Sequence, residues 1–390
     1  MERMTNATLL ETETWAAPIR FDTALEIKSP YYLGYDVMDE FPKVLASYVV
    51  DRVFVISGAA VDQLYGDRLA TALESHGIRH DRLTIQDNEY NKNFDGLSYL
   101  CEELVRRGVS RRSVLVAFGG GVIGNIVGLA AAMIYRGIGF VEMPTTLMGQ
   151  TDSTLSNKQA VNGQYGKNHF GVYYAPLFIW SDTQLLHTEQ MPYVRSGLVE
   201  AVKNGLICDP AFLDYLDARL DPALTFDPEG YHDLVHRIID SKLQILRQDP
   251  SEKGYGMVLE YGHTFGHAIE SIGGGRIAHG EAVAVGMCMA AELSFSMGLI
   301  DDGLRRRHYH LLGQRLGVDL RLDANVDSAM LMQVMASDNK RTGGEVKYVL
   351  LDGLGSVCKG DGNYLTHVPS HLVKAVIDTF PHRETSQVLQ

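Results

Sequence analysis

The stretch Ser113-Val-Leu-Val-Ala-Phe-Gly-Gly-Gly-Val-Ile-Gly-Asn125 decides the fold. An apolar run with strand character ends at Phe118, three glycines follow, and an apolar helical stretch opens at Asn125 and continues to Ile134. Strand, glycine turn and helix in that order let a backbone approach a pyrophosphate, whose charge a helix N-terminus stabilises. Glycines also permit plain close packing, so the loop alone is moderately specific. It also stands late in the chain for a first-strand dinucleotide fingerprint, which implies a variant arrangement.

Outward from this loop, short apolar runs alternate with helical periodicity. Arg52–Ile56, Asp81–Ile85, Ser113–Phe118 and Gly139–Met143 read as strands, with helices expected over Val61–His76 and Gly96–Arg107. Alternation of this kind implies a parallel, doubly wound α/β sheet. After about Asp182 the strand pattern stops, and long helical stretches follow at Val194–Ile207, Tyr231–Gln248, Met257–Ile272 and Glu281–Met297. The expectation is therefore an N-terminal extension over 1–20, a Rossmann-like α/β domain over 21–185 and an all-helical domain over 186–390.

Composition excludes several classes. With 390 residues, 45% hydrophobic, the chain suits a globular protein with a sizeable core. A net charge of -13 repels a polyanion, so no nucleic-acid partner is expected, although a few converging cations can still bind a small anion. Cys101, Cys208, Cys288 and Cys358 lack paired spacing, which points to a reducing, cytoplasmic setting. The most membrane-like stretch, Ala282–Ile300, contains Glu292 and several small residues, and reads as a buried helix rather than a membrane span.

Two clusters in the second half carry chemistry. Gly262-His-Thr-Phe-Gly-His267 places His263 and His267 on one helix face, and Ala278-His-Gly-Glu281 puts His279 at the start of the next helix. Histidines at this spacing are by themselves more often structural. Glu200 and Lys203, one turn apart in Gly197-Leu-Val-Glu-Ala-Val-Lys203, change the balance: two histidines and a carboxylate make a catalytic zinc set. Spacing leaves open which histidine is not a ligand. A third cluster, Asp152 to Asn162 followed by Gly166-Lys-Asn168, reads as a loop with two lysines.

Taken together and in this order, the glycine loop, Met143-Pro-Thr-Thr-Leu147, Lys158…Asn162…Gly166-Lys-Asn168, Gly197…Lys203, Gly262…His267 and His279-Gly280 resemble the 3-dehydroquinate synthase superfamily of sugar-phosphate cyclases. The resemblance spans about residues 50 to 355. It implies an NAD-binding α/β domain, a helical domain, one divalent metal (zinc or cobalt) between them, and a homodimer. It makes Glu200, His263 and His279 the metal ligands. NAD would lie on Gly119, Gly120, Gly121, Val122, Gly124 and Asn125, with Thr145 and Thr146, and with Glu89 and Lys92 at the nicotinamide nucleotide. Lys158, Lys203, Lys242, Glu260 and His267 would carry the chemistry. Asp152, Asn162, Lys167, Asn168 and Lys340 would line the substrate, and Arg136 would reach a phosphate across the dimer.

Two departures from the family pattern are informative. Members usually end the first strand with an Asp for the cofactor ribose, where this chain has Ser57. Dehydroquinate synthases carry an Arg at the place of Gly256 and an Asn at that of Glu260, the Arg binding the substrate's carboxylate. Loss of a cation and gain of an acid favour a substrate that is neutral apart from its phosphate. Leu259-Glu-Tyr-Gly-His263, Asn157…Asn162 and Val202-Lys-Asn204 are similar to the branch that cyclises glucose 6-phosphate to 2-deoxy-scyllo-inosose, of aminoglycoside-type biosynthesis. Sedoheptulose 7-phosphate cyclisation, dehydroquinate synthesis and a metal-dependent polyol dehydrogenase are the alternatives.

Overall fold

The computed structural model describes residues 19–22, 29–164, 166–221, 224–336 and 345–383. They form two compact units, one reaching Glu189 and including Phe226–His236, the other made of Gln190–Thr225 and the chain from Arg237 onward. The Pro228–Leu246 helix passes from one unit into the other.

The strands of the first unit are β1 (Ile19–Asp22), β2 (Pro30–Gly34), β3 (Val53–Ser57), β4 (His80–Thr84), β5 (Val114–Gly119), β6 (Gly139–Pro144), β7 (Lys158–Gly163), β8 (Gly166–Tyr173) and β9 (Ile179–Asp182). Seven form one sheet in the order β1-β2-β9-β6-β5-β3-β4. All neighbours are parallel except β1, which runs antiparallel to β2. β1 straddles the expected end of the N-terminal extension.

Both faces of the sheet are covered at β3, β5 and β6, which is why these strands read as near-continuous apolar runs. Phe54, Ile56, Leu115, Ala117 and Phe140 pack beneath the helices Phe94–Arg106 and Gly121–Met133. Val53, Val55, Val116, Phe118 and Val141 pack on the other side against Phe41, Leu69, Leu73 and Trp180.

One acid lies within this apolar sheet. Glu142 on β6 is 4% exposed and accepts a hydrogen bond from Gln159 Nε2 at 2.9 Å. Burial pushes its carboxyl up to about 7, and the Gln159 bond pulls the other way. The folded protein therefore keeps a proton that the unfolded chain releases near pH 4, so this group's stabilisation is lost as pH rises from about 4 to 7. The loss is at most about 3 kcal/mol. Glu142→Gln should flatten that slope and unfold at a higher temperature than the parent at pH 8. Equal pH slopes for the two proteins in thermal unfolding would refute the assignment.

The Asp152–Asn168 segment, expected as a loop, is instead largely a β7–β8 hairpin. Its alternation is hidden because β8 is almost wholly exposed and Gly163, Gly166 and Gly171 interrupt the side-chain pattern. The second unit is mainly helical, but it also contains two small antiparallel pairs, missed because each strand has only two or three residues. These are β10 (Lys347–Tyr348) with β13 (Thr366–His367), and β11 (Leu351–Gly353) with β12 (Ser356–Val357). The membrane-like stretch lies mostly in the His279–Ser296 helix, whose Ala282–Ala291 portion is buried throughout. Among the described residues, no helix is long and apolar enough to cross a membrane.

Candidate metal centre and cofactor loop

Glycines bring three helices of the second unit together. A Cβ at Gly286 would lie 2.7 Å from Gly266 N, and one at Gly280 would lie 2.7 Å from Ser196 Cβ and Oγ. The Gly280 amide instead donates to Ser196 Oγ at 3.2 Å. Gly262, at φ +79°, turns the chain into the His263–Gly273 helix in a conformation that costs side-chain-bearing residues strain. These close approaches set the Met191–Ile207, His263–Gly273 and His279–Ser296 helices side by side.

Their facing side chains make a donor set. One ligand atom each from Glu200, His263 and His279 lies within 4.8 Å of the others. Glu200 Oε1 is 3.6 Å from His263 Nε2 and 3.8 Å from His279 Nε2, is buried, and has no hydrogen-bond partner. Its other oxygen, Oε2, pairs with Lys203 Nζ, and both residues are almost fully buried. The carboxylate thus offers one oxygen to a cation of the chain and leaves the other between two imidazoles. An orphaned anionic oxygen with two nitrogens around it fits a divalent metal.

Outer contacts orient both imidazoles. His263 Nδ1 meets the Tyr261 carbonyl at 3.2 Å, and His279 Nδ1 meets Glu270 Oε2 at 3.2 Å. Each places Nε2 toward Glu200, and with Nδ1 as the donor, Nε2 would present its lone pair to a metal; a carboxylate partner raises the basicity of His279. Glu270 was missed as a site residue because its role depends on proximity to a histidine nine positions later. The His267 ring stands 5.2 Å from that of His263 but is exposed. Lys242 is buried on the Pro228–Leu246 helix, Glu260 is half-buried three residues before His263, and Lys340 lies outside the described residues. Gly256 is closely packed: a Cβ there would be 3.0 Å from Glu252 Cβ and Cγ, so a side chain would require Glu252 to shift, and the amide donates to Asp249 Oδ2 at 2.8 Å.

In the first unit, the predicted cofactor residues of the glycine loop and Thr145–Thr146 meet at the carboxyl ends of β5 and β6, whereas Glu89 and Lys92 lie after β4 against the hairpin. Gly120 precedes the Gly121–Met133 helix and leaves its first N–H groups without a capping side chain, whereas Glu189 Oε2 accepts from Leu147 N at 2.8 Å in the helix after Thr146. The Gly121–Met133 terminus is therefore the one suited to a pyrophosphate. Thr145 N donates to Gly119 O at 3.0 Å, and a Cβ at Gly120 would lie 3.3 Å from Thr146 Cγ2. Val122 and Gly124 fall in the first turn of the same helix, and Asn125 Nδ2 donates to Lys158 O at 3.1 Å. Asp152 closes the Leu147–Thr151 helix.

A second group gathers around the hairpin. Asn162 Nδ2 donates to Glu89 Oε1 at 2.8 Å, Asn168 N to Asn162 Oδ1 at 2.9 Å, and Lys92 Nζ to Asn168 Oδ1 at 2.6 Å. Lys167 stands 3.9 Å from Glu89. Arg136 is not brought to these residues. It follows the far end of the Gly121–Met133 helix, about 20 Å from the glycine turn. There it is exposed at φ +66°, beside Tyr135 at φ +51°.

Residues 82–196 match the 3-dehydroquinate synthase N-terminal domain and 197–341 the 3-dehydroquinate synthase C-terminal domain. A 2-deoxy-scyllo-inosose synthase of Streptomyces kanamyceticus is 38% identical over 358 residues, covering 90% of this chain and 92% of its own. A solved 2-deoxy-scyllo-inosose synthase, complexed with carbaglucose-6-phosphate, NAD+ and Co2+, superposes with a TM-score of 0.87 at 31% identity, over 93% of this chain and all of that one. A 2-epi-5-epi-valiolone synthase from Streptomyces hygroscopicus, with NAD+ and Zn2+ bound, shares the fold at TM-score 0.77 and 24% identity, over 93% of this chain and 99% of its own. With both domains matched in order and identity sustained over nine tenths of its length, the chain belongs to the 3-dehydroquinate synthase superfamily of sugar-phosphate cyclases, in the 2-deoxy-scyllo-inosose synthase family.

Proposed function

We propose that this protein converts glucose 6-phosphate to 2-deoxy-scyllo-inosose and inorganic phosphate, a carbon–oxygen lyase step of aminoglycoside-type biosynthesis in the cytoplasm. NAD and a zinc or cobalt ion, when bound, supply hydride acceptance and Lewis acidity. The glycine turn at Gly119–Gly124 would hold the NAD, and Glu200, His263 and His279 would hold the metal; redox chemistry supplied there at C4 would acidify the C5 hydrogen so that phosphate is lost from C6, after which cleavage of the C1 hemiacetal would open the ring and aldol addition would close the carbocycle, with no net use of NAD.

The observation that carries this reading is the site's charge: Glu200, His263 and His279 form a metal donor set, while Gly256 offers no cation and its Cβ position is tightly bounded by Glu252, and Glu260 is an acid close to the set in sequence. A substrate carboxylate would have no cation at Gly256 and would face Glu260. Glu260 instead accepts a hydrogen bond from a sugar hydroxyl. Lys158, Lys203, Lys242 and Lys340 stabilise developing oxyanion and phosphate charge, with Asp152, Asn162, Lys167 and Asn168 as further substrate contacts. His267, exposed beside His263, moves protons. Arg136, exposed about 20 Å from the glycine turn of its own unit, would reach a phosphate in a second copy of a homodimer.

Metal- and NAD-loaded protein, offered glucose 6-phosphate, sedoheptulose 7-phosphate and the seven-carbon acid phosphate of the shikimate route, should release phosphate from the first alone, with no accumulation of NADH. Phosphate release only from another of the three would replace the substrate, and stoichiometric NADH would indicate a polyol dehydrogenase. Glu260→Gln should lower kcat/KM for glucose 6-phosphate by about tenfold or more through loss of a charge-assisted hydrogen bond. Unchanged kinetics would remove Glu260 from the substrate site.

A further inference from the structure

The chain has Ser57 and Gly58 where the first strand would be expected to end in a carboxylate for the cofactor ribose. A different strand brings a carboxylate to this place. β4 ends at Thr84, and Asp87, three residues on, folds back over Gly58. Any side chain at Gly58 would collide with Asp87 Oδ2 and Cγ, and its Cβ would stand 2.9 Å from Asp87 Cβ. The glycine is thus the condition for the approach: its missing side chain is the space the aspartate occupies.

Sheet topology gives that space a meaning. Ser57 pairs with Phe118, so Gly58 follows at the level of Gly119, one strand spacing of about 4.8 Å away. From β3 the chain moves outward to β4, and from β5 it moves the opposite way to β6. Adjacent strands whose connections diverge form a switch point, and dinucleotides bind in the crevice at its carboxyl end. The glycine turn and the uncapped helix start form one wall of that crevice; Gly58 and Asp87 stand at the other. Ser57 Oγ, 1% exposed and without a hydrogen-bond partner, ends the same strand. Asp87 is exposed, so its oxygens are open to a ligand.

A carboxylate beside a pyrophosphate-binding turn has a defined partner in a dinucleotide. It accepts hydrogen bonds from the ribose 2′- and 3′-hydroxyls, and it repels a 2′-phosphate. We propose that Asp87, reaching over Gly58, binds the adenosine ribose diol of NAD and excludes NADP. The assignment rests on the NAD-dependent reading above and adds the residue that selects the cofactor.

The test is equilibrium binding of NAD+, NADP+ and 2′-deoxy-NAD+ to the full-length, metal-loaded protein by calorimetry. Asp87→Ala should weaken NAD+ by about ten- to fiftyfold and bind NAD+ and the 2′-deoxy analogue alike. Gly58→Ala should reproduce this by displacing the aspartate. The double variant Gly58→Asp with Asp87→Ala, which moves the acid to the strand end, should recover both affinity and discrimination. An Asp87→Ala protein that binds NAD+ as tightly as the parent, or still rejects the 2′-deoxy analogue, overturns the proposal. A parent protein that binds no NAD+ overturns instead the reading on which it stands.

Discussion

Glu200→Ala is expected to bind no metal and to lose ~10³-fold or more in turnover. Glu200 supplies the only anionic oxygen of the donor set, and that oxygen lies between two imidazole nitrogens at 3.6 and 3.8 Å without another partner. Without it two neutral ligands remain, too few to hold a divalent ion in a catalytic site. The Lewis acidity that the site contributes is worth several kcal/mol of barrier, each ~1.4 kcal/mol being a factor of ten. His263→Ala should behave the same way. Elemental analysis after dialysis gives metal per protomer, and phosphate release gives turnover. Full activity in metal-depleted parent protein would refute the assignment, whatever the variants did.

Lys203→Met should have the next largest effect, on two readouts of opposite sense. In the metal-free protein, Lys203 is the cation paired with Glu200, with both side chains almost fully buried. Removing one partner leaves a buried charge uncompensated, a cost of about 3 kcal/mol. A bound metal restores compensation through the other oxygen. Metal should therefore raise the unfolding temperature of Lys203→Met more than that of the parent, while turnover falls ~100-fold or more as a buried cation near the reacting groups is lost. Equal metal-induced shifts in parent and variant would show that Lys203 and the metal do not share the Glu200 charge.

Much of this was legible in one dimension because the responsible physics is local. The runs at β3, β5 and β6 are near-continuous because the sheet is buried there on both faces, whereas the edge strand β4 is mostly polar and half-buried, and the glycine turn announces itself by composition. β2 and β9 were not read as strands, since their pairing with each other joins segments about 150 positions apart. The β7–β8 hairpin was misread for a related reason: an exposed strand with three glycines nearby has no apolar period to detect.

The amino-acid sequence alone determined the order of chemistry-bearing motifs, the α/β-then-helical plan and the subtraction of charge at Gly256 and Glu260. The first two follow from residue type and spacing along one chain, and the third from the chain's resemblance to a family whose pattern it departs from. Only the tertiary structure decided which oxygen of Glu200 faces the histidines, that Glu270 backs His279, and that Asp87 stands over Gly58. Each of those depends on which backbones approach closely enough to lack room for a side chain. At Gly58, Gly262, Gly280 and Gly286 the informative feature is the absence of an atom, and its meaning appears only when another part of the chain occupies the space.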